Sequence, residues 1–311
     1  MATRIHRHLE PGSIRPMTEP LHPFGRYLAA KRTVDDHALN RVVWARLVEE
    51  VRRFPTADTL HVLEIGAGIG TMVDRLVEWG LPGAAPAPLA YLAIDESAEN
   101  IAHARRRPVP LPAPHTLDFQ QADLFDFLAQ PDTTGRFDLV IAHAFLDLVD
   151  IPSTLPRVLG LLRPGGLLYA TINFDGVTAF EPAVDPALDA QIEALYHETM
   201  DGRVTDGKPS GDSRTGRHLF ANLRRAGATV LEAGSSDWLV FARDGAYRGG
   251  EAFFLHFIVD TVHGALRDHP ALDYDAFTAW VAARHGQIER GELVYLAHQL
   301  DFLCRAPESH P

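Results

Sequence analysis

Hydrophobic residues between positions 60 and 175 form short, nearly continuous runs separated by amphipathic segments. The runs predict five buried β-strands: "LHVLEI", "AYLAID", "HTLDFQQAD", "FDLVIAHA" and "GLLYATINF". The segments between them predict helices: "TMVDRLVEWG", "SAENIAHARRR" and "STLPRVLGLLRPGG". Strands that alternate with helices in this way indicate an α/β fold, in which a mostly parallel sheet is covered by helices on both faces.

The chain on either side of this region is more helical. Upstream, "TVDDHALNRVVWARLVEEVRRF" has apolar positions at helical spacing, and Thr33 is the predicted N-cap of this helical segment. Downstream, helices and a polar glycine-rich loop lead to a strand within "ATVLEAGSSDWLVFAR". Two late helices then precede a last strand, "ELVYLAHQLDFLCR". Helices inserted before a last strand commonly cover a site.

These patterns divide the chain into four parts. We expect an N-terminal arm and helical lid segment over residues 1–58, of which residues 1–24 are an extended arm, and a core over 59–245 with a helix and loop insertion at about 176–214. The inserted helices occupy 246–290, and the last strand of the core and a tail occupy 291–311. The apolar helix "EAFFLHFIVDTVHGAL" has two interpretations, a lid over the site or the interface of a homodimer.

Composition narrows the class of function. The formal charge of −12 disfavours nucleic acid as a partner, because an acidic surface repels phosphodiester backbones. The single cysteine, Cys304, excludes cysteine-rich metal sites, and "HETMD" lacks the second histidine of a zinc-binding H-E-x-x-H. No signal peptide or long apolar segment is apparent, so we expect a cytoplasmic protein without a membrane span or a metal.

The segment "HVLEIGAGIGTM" carries the main functional signal. A strand, a glycine turn and a helix allow a ligand to approach the backbone closely, because glycine has no Cβ. Gly66, Gly68 and Gly70 have G-x-G-x-G spacing, whereas dinucleotide sites use G-x-G-x-x-G. Glu64 lies two residues ahead, and its carboxylate disfavours a pyrophosphate but suits a cation. S-adenosylmethionine, with an ammonium and a sulfonium and no phosphate, fits this electrostatic pattern.

"VLEIGAGIG" resembles motif I of the class I S-adenosylmethionine-dependent methyltransferases, E-x-G-x-G-x-G. "YLAID", "QQADLFDF", "FDLVIAHAFLDL" and "LLRPGGLLYA" resemble later parts of the family in the expected order, over roughly residues 60–175. The resemblance implies a doubly wound, mostly parallel, Rossmann-like sheet of seven strands in the order 3-2-1-4-5-7-6, with strand 7 antiparallel. It also implies S-adenosylmethionine as the cofactor.

The resemblance assigns roles to individual residues. Asp95 would take the ribose hydroxyls, and Asp123 would meet the adenine amine with Leu124 at the base face. The full predicted cofactor set is Glu64, Gly66, Ala67, Gly68, Gly70, Met72, Asp95, Glu96, Asp123, Leu124 and His143. Each of these residues also has a structural interpretation. Asp95 and Asp123 would then cap helices, and Glu64 would be a buried acid bonded to loop amides. His143 would contact the cofactor through its backbone only.

Methyl transfer from a sulfonium mainly requires positioning and desolvation of the acceptor. We expect the acceptor beyond the carboxyl ends of strands 4 and 5, with His143 as the candidate catalytic residue. The predicted substrate-binding residues are Phe145, Tyr196, His197, Arg214, Arg217 and Tyr27. Asp147 is a further candidate for contact with the methyl acceptor. Arg214 and Arg217 together are suited to clamp a carboxylate or phosphate. The predicted substrate is a small-molecule methyl acceptor, modified on oxygen, nitrogen or carbon.

Three rival functions remain. The first is an NAD(P)-dependent oxidoreductase, for which "YLAAK" supplies a Y-x-x-x-K pattern, although it precedes the glycine loop instead of following it. The second is a non-catalytic protein that binds S-adenosylmethionine. The third is an aminopropyl transferase, which shares the fold but requires an acidic acceptor site for a polyamine.

Overall fold

A computed structural model describes residues 22–55, 58–107, 109, 111–205 and 207–308. The predicted extended arm, residues 1–24, therefore lies outside the described residues as far as residue 21. Among the described helices, none is both long enough and apolar enough to cross a bilayer.

The core is one large twisted sheet. Its strands are β1 (Leu60–Ile65), β2 (Leu89–Asp95), β3 (Thr116–Gln121), β4 (Phe137–His143), β5 (Leu162–Glu181), β8 (Thr229–Ser235), β9 (Trp238–Val240) and β10 (Val294–Arg305), while β6 (Val204–Thr205) and β7 (Lys208–Pro209) pair separately. The sheet order is β3-β2-β1-β4-β5-β10-β8, and β9 also pairs with β10. Because β10 runs antiparallel to both β5 and β8, the predicted order 3-2-1-4-5-7-6 is confirmed, with β8 as the sixth strand and β10 as the seventh.

Helices cover both faces of this sheet. They are α1 (Pro23–Ala38), α2 (Arg41–Val51), α3 (Thr71–Glu78), α4 (Leu81–Ala84), α5 (Ala98–Arg106), α6 (Leu124–Leu128), α7 (Ile151–Gly160), α8 (Pro186–Asp201), α9 (Thr215–Arg225), α10 (Glu251–Leu266) and α11 (Tyr274–Glu289). Aspartate side chains accept backbone N–H groups at the first turn of α6, α8 and α11, which is the expected capping chemistry.

The N-terminal helical segment differs from its prediction. It forms two helices, and Thr33 lies inside α1 instead of capping a helix, so the predicted N-cap is wrong. The chain turns at Leu39, whose backbone is extended, and the side chain of Asn40 then accepts the N–H groups of Val42 and Val43 at 3.0 and 3.1 Å. This cap starts α2 and separates it from α1.

Strand β5 is longer than its sequence pattern predicts. It continues past Phe174 to Glu181, because β10 also extends and provides partners such as Tyr295 opposite Phe180. The segment predicted to hold one strand after α9 contains two, β8 and β9. Because β5 pairs with β4 only as far as Thr171, opposite His143, the later part of β5 and its partner β10 extend beyond the carboxyl end of β4.

The late helices pack onto the N-terminal segment. Tyr27 of α1 stacks on Phe257 of α10 with ring centroids 4.1 Å apart, and Phe254 lies on its other side at 5.8 Å. The apolar face of α10 is buried within the chain, including Leu255 and Val259. Because this face is used internally, α10 acts as a support for α1 in this structure.

Candidate functional site

The glycine loop after β1 adopts the predicted tight turn. Gly66, Gly68 and Gly70 have φ values of +66°, +55° and +80°, in the left-handed region that favours glycine. A Cβ at Gly66 would lie 2.4 Å from the ring of Phe145, and one at Gly68 would lie 3.0 Å from Leu28. The loop therefore needs glycine both for its backbone and for the close approach of α1 and of the segment after β4.

Asp95 ends β2 beside this loop. Its Oδ2 accepts the N–H of Gly68 at 2.8 Å, and its Oδ1 accepts the backbone N–H of Ser97 and the side-chain amide of Asn100, each at 3.0 Å. Each carboxylate oxygen has two lone pairs, so Oδ2 keeps capacity for a further donor such as a hydroxyl. Asp95 both fixes the glycine loop and stays partly exposed.

Glu64 is buried and does not bond to the loop amides, contrary to one interpretation of the sequence. The hydroxyl of Tyr91 donates to its Oε2 at 2.7 Å. Burial raises the pKa of Glu64 to about 8, so the carboxyl is protonated at neutral pH. A protonated Glu64 carries no negative charge. The prediction that Glu64 disfavours a pyrophosphate and suits a cation depends on that charge.

The predicted adenine end forms a cavity at the edge of β3. Glu96 and Asp123 line this open cavity of about 400 Å³, together with Gln121. Asp123 also caps α6, because its Oδ1 accepts the N–H groups of Phe125 and Asp126 at 2.7 and 3.1 Å. The capping interpretation is therefore correct, and it leaves the second carboxylate oxygen for a ligand.

Three other predicted cofactor residues are largely enclosed by protein. Met72 is fully buried in the core, and Ala67 and Leu124 are each only 6% exposed. A cofactor would therefore meet Ala67 and Met72 through their backbone atoms. It would meet Leu124 through one edge of the side chain.

His143, at the end of β4, has both ring nitrogens engaged. Nδ1 lies 2.8 Å from the hydroxyl of Thr171, and Nε2 lies 3.0 Å from Oδ2 of Asp35. Burial lowers the pKa of His143 to about 4, although the nearby Asp35 carboxylate acts in the opposite direction. A neutral ring held at both nitrogens connects β4 to α1, and this geometry does not favour the predicted catalytic role in proton transfer.

Asp35 is the residue that sequence reasoning missed. Its Oδ2 accepts Lys31 at 2.8 Å and Arg75 at 3.4 Å, besides the contact with His143, and its Oδ1 accepts the indole N–H of Trp238 at 3.0 Å. Burial alone would raise the pKa of Asp35, but these positive groups and the bond to His143 hold it below its usual value. The available signal was the (i, i+4) pair of Lys31 and Asp35, on the same side of α1 as Val34.

The predicted acceptor residues do not all come together. Arg217 is tied to Asp175, donating from Nε to Oδ1 and from its guanidinium to the backbone carbonyl, each at 2.8 Å. Because Asp175 holds Arg217, that guanidinium is not free to clamp an anion together with the exposed Arg214. His197 lies 3.0 Å from the hydroxyl of Thr178.

Two of the predicted substrate residues are buried tyrosines. Burial raises the pKa of Tyr27 and of Tyr196, and Asp147, on the segment after β4 that also carries Phe145, raises both to a smaller extent. Within the described ranges, no group of three or more His, Cys, Asp or Glu side chains has the arrangement of a metal site.

Known proteins resemble this chain at the level of one family model and of several solved structures. Residues 63–168 match the model of a family described as a methyltransferase domain. No curated protein matches the chain. Similar solved structures include a SAM-dependent methyltransferase from Methanosarcina mazei, with 12% identity, a TM-score of 0.47 and coverage of 85% of this chain and 98% of that one. Another is the cyclopropane synthase MmaA2 from Mycobacterium tuberculosis, with 13% identity, a TM-score of 0.42 and coverage of 84% and 83%. Because these likenesses are distant, the fold assignment depends on the strand order.

The buried Glu64 carboxyl generates a test of stability against pH. Its folded pKa of about 8 lies above the usual 4.5, so the unfolded chain binds fewer protons than the folded chain between these values, and stability falls as pH rises through this window. Glu64→Gln removes this titration. The quantity of interest is the free energy of unfolding of Glu64→Gln minus that of the wild type. We expect this difference to become more positive by about 2–4 kcal/mol between pH 5 and pH 8.

Urea denaturation of both proteins at several pH values measures this difference. Glu289→Gln, at an exposed position near the end of α11, is the matched control and should show a constant difference. A difference for Glu64→Gln that does not change with pH would mean that the folded protein does not hold Glu64 protonated.

Proposed function

We propose that this chain, which carries a methyltransferase domain of the class I α/β fold, uses S-adenosylmethionine to methylate a small molecule. The main observation behind the proposal is one hydrogen bond. The N–H of Gly68 donates to the carboxylate of Asp95 and so joins the glycine loop to that residue. That bond places a glycine-rich backbone turn and a partly exposed carboxylate at the carboxyl ends of β1 and β2, the binding edge of an open α/β sheet.

The residues present fit the cofactor. Asp95 has acceptor capacity for the ribose hydroxyls, and Glu96 and Asp123 lie at the cavity suited to the adenine. When bound, S-adenosylmethionine supplies an electrophilic methyl group on a sulfonium. The glycine loop positions the ligand against its backbone, and α1 with Leu28 and the ring of Phe145 exclude water from that side.

The cover over the loop supports a small acceptor. α1 packs onto the glycine loop and is held there by α10 and by the Asp35 contacts, so a large folded substrate has no direct approach from this side. The formal charge of −12 also disfavours nucleic acid. We assign His143 to positioning α1, since both of its ring nitrogens are already engaged.

The geometry also weighs against the oxidoreductase alternative. That function would use Tyr27 and Lys31 as a catalytic pair, but the ammonium of Lys31 is buried and bound to Asp35 at 2.8 Å. Tyr27 lies among the aromatic rings of α10. The Y-x-x-x-K pattern is thus part of the helix packing.

Calorimetry with a matched pair of glycine variants tests cofactor binding. We expect the wild type to bind S-adenosylmethionine and S-adenosylhomocysteine and not NAD. Gly68→Val should weaken both by at least about tenfold, because a β-branched residue at a φ of +55° is strained and its Cβ would press on Leu28.

Gly80→Val is the control, since Gly80 also has a positive φ, of +78°, but has nothing within 4 Å of its Cβ position. It should lose stability without losing affinity. Binding of NAD alone, or equal affinity in both variants, would contradict the proposed site.

The substrate class is tested with methyl-labelled S-adenosylmethionine. The protein is incubated with a cell lysate separated into small-molecule, protein and nucleic-acid fractions. We expect label only in the small-molecule fraction, because α1 encloses the loop, and about tenfold less of it with Gly68→Val, in line with its weaker cofactor binding. Transfer of label to protein or nucleic acid by the wild type would refute a small acceptor while leaving cofactor binding intact.

A further inference from the structure

Asp95, the carboxylate proposed to take the ribose hydroxyls, is held by a side chain as well as by backbone groups. The side-chain amide nitrogen of Asn100, on α5, donates to its Oδ1 at 3.0 Å, and the backbone N–H of Ser97 donates to the same oxygen. These two bonds use both lone pairs of Oδ1, while Oδ2, which accepts the N–H of Gly68, keeps one. Asn100 therefore helps to determine which carboxylate oxygen remains for a ligand.

Asn100 is fixed in place in the first turn of α5. The residue is only 3% exposed, and its backbone N–H donates to the hydroxyl oxygen of Ser97, the N-cap of this helix, at 3.2 Å. Because an ionised carboxylate only accepts hydrogen bonds, the amide must turn its nitrogen, and not its oxygen, toward Asp95. A reversed amide would place its oxygen against the carboxylate and lose the bond.

His22 holds the other end of this amide. Its Nε2 lies 3.1 Å from the amide oxygen of Asn100, and its Nδ1 accepts the backbone N–H of Gly25 at 3.2 Å. A ring nitrogen that accepts carries no proton, so the proton of the neutral ring is on Nε2, and the ring donates to Asn100. Hydrogen bonds therefore run in one direction, from His22 through Asn100 to Asp95.

His22 is also the N-cap of α1, the helix whose Leu28 lies against the glycine loop. Capping alone does not require histidine, because asparagine, aspartate and serine are the preferred N-cap residues. What histidine adds is a second nitrogen: one caps α1, while the other contacts Asn100, 78 residues away in the chain. The start of α1 is therefore connected to the side chain that holds Asp95.

Glu99 is an alternative partner for His22, but a weaker one. Its carboxylate lies 3.8 Å from Nε2, and its side chain is 74% exposed. Exposed ion pairs of this kind contribute little to stability. This pair also requires a protonated ring, whose Nδ1 could not accept the N–H of Gly25. The contacts of His22 thus favour Asn100 as the residue through which it acts.

We infer that His22 and Asn100 are positioning residues for the cofactor. His22 orients the amide of Asn100, and Asn100 orients the Asp95 carboxylate so that its Oδ2 accepts a ribose hydroxyl. Without Asn100, two backbone donors alone hold the carboxylate, whose terminal torsion has a broad range. Without His22, the amide of Asn100 is free to reverse. This inference rests on the proposed function, because it takes Asp95 as the ribose ligand.

Calorimetry with S-adenosylhomocysteine on full-length variants tests this series of bonds. We expect Asn100→Ala to weaken binding by about tenfold or more, because the carboxylate loses a charge-assisted bond. His22→Asn keeps a preferred N-cap residue on α1, but its shorter side chain does not extend to Asn100. It should weaken binding by about threefold or more, and the double variant should bind no more weakly than Asn100→Ala, because His22 acts through Asn100.

Two control variants separate this role from general effects on the helices. His37→Asn makes the same substitution near the other end of α1, where the ring contacts a backbone carbonyl of its own helix. Glu99→Gln removes the exposed carboxylate near His22. Both should bind S-adenosylhomocysteine as the wild type does.

The 2′,3′-dideoxy analogue of S-adenosylhomocysteine provides a second readout. It lacks the hydroxyls that Asp95 would accept, so the wild type and Asn100→Ala should bind it with equal affinity. Circular dichroism shows whether each variant is folded. His22→Asn, at a partly exposed position, tests the inference by itself if Asn100→Ala does not fold.

Wild-type affinity in Asn100→Ala or in His22→Asn would overturn the inference. Additive losses in the double variant, or an equal loss for the dideoxy analogue, would also contradict it. Failure of the wild type to bind S-adenosylhomocysteine is a separate outcome. That result would refute the proposed function, and with it the premise that Asp95 is a ribose ligand.

Discussion

The contacts of one buried carboxylate, Asp35, determine where α1 lies. Its two oxygens reach Lys31 on the same helix, Arg75 on α3, His143 at the end of β4 and Trp238 on β9. Removing one partner from such a buried ionic cluster typically costs about 3–5 kcal/mol, because the remaining charges lose their compensation. The cluster therefore connects an N-terminal helix to α3 and to two strands of the sheet, β4 and β9.

The position of α1 then sets the geometry of the proposed methyl-transfer site. Leu28 lies against Gly68, which only a glycine permits at that distance. At the start of the helix, His22 lies 3.1 Å from the amide oxygen of Asn100, and the amide nitrogen of Asn100 donates to Asp95. The N-cap and the first half of α1 are thus coupled to the loop and to Asp95, the carboxylate that the proposed cofactor would contact.

Much of the fold was predictable because its signals are local. Continuous apolar runs identified β1, β2, β4 and β5, and the G-x-G-x-G spacing identified the loop whose positive φ values require glycine. The family resemblance then supplied the strand order, which follows from topology and not from any single segment. The N-cap at Thr33 was wrong because Asn40, seven residues later, caps α2 with its own side chain.

The site was less predictable because its key contacts join residues far apart in the chain. The sequence suggests that Glu64 is an anion, but burial raises its pKa to about 8, although the hydrogen bond from Tyr91 acts in the opposite direction. Arg217 looked available for an anion, but Asp175, from the extension of β5, occupies it. Asp35 pairs with His143 and Trp238 across more than a hundred residues, and spacing along the chain does not show such contacts.

Amide hydrogen exchange of α1 measures the central claim most directly. Wild type and Asp35→Asn are compared, with Asp268→Asn as a control, since Asp268 pairs with Arg267 on the surface, where an ion pair contributes little. The account predicts that exchange across Pro23–Ala38 accelerates by about a hundredfold or more in Asp35→Asn, while β1 and β4 stay protected. Unchanged protection of α1 in a folded Asp35→Asn protein would show that Asp35 does not hold the helix over the glycine loop.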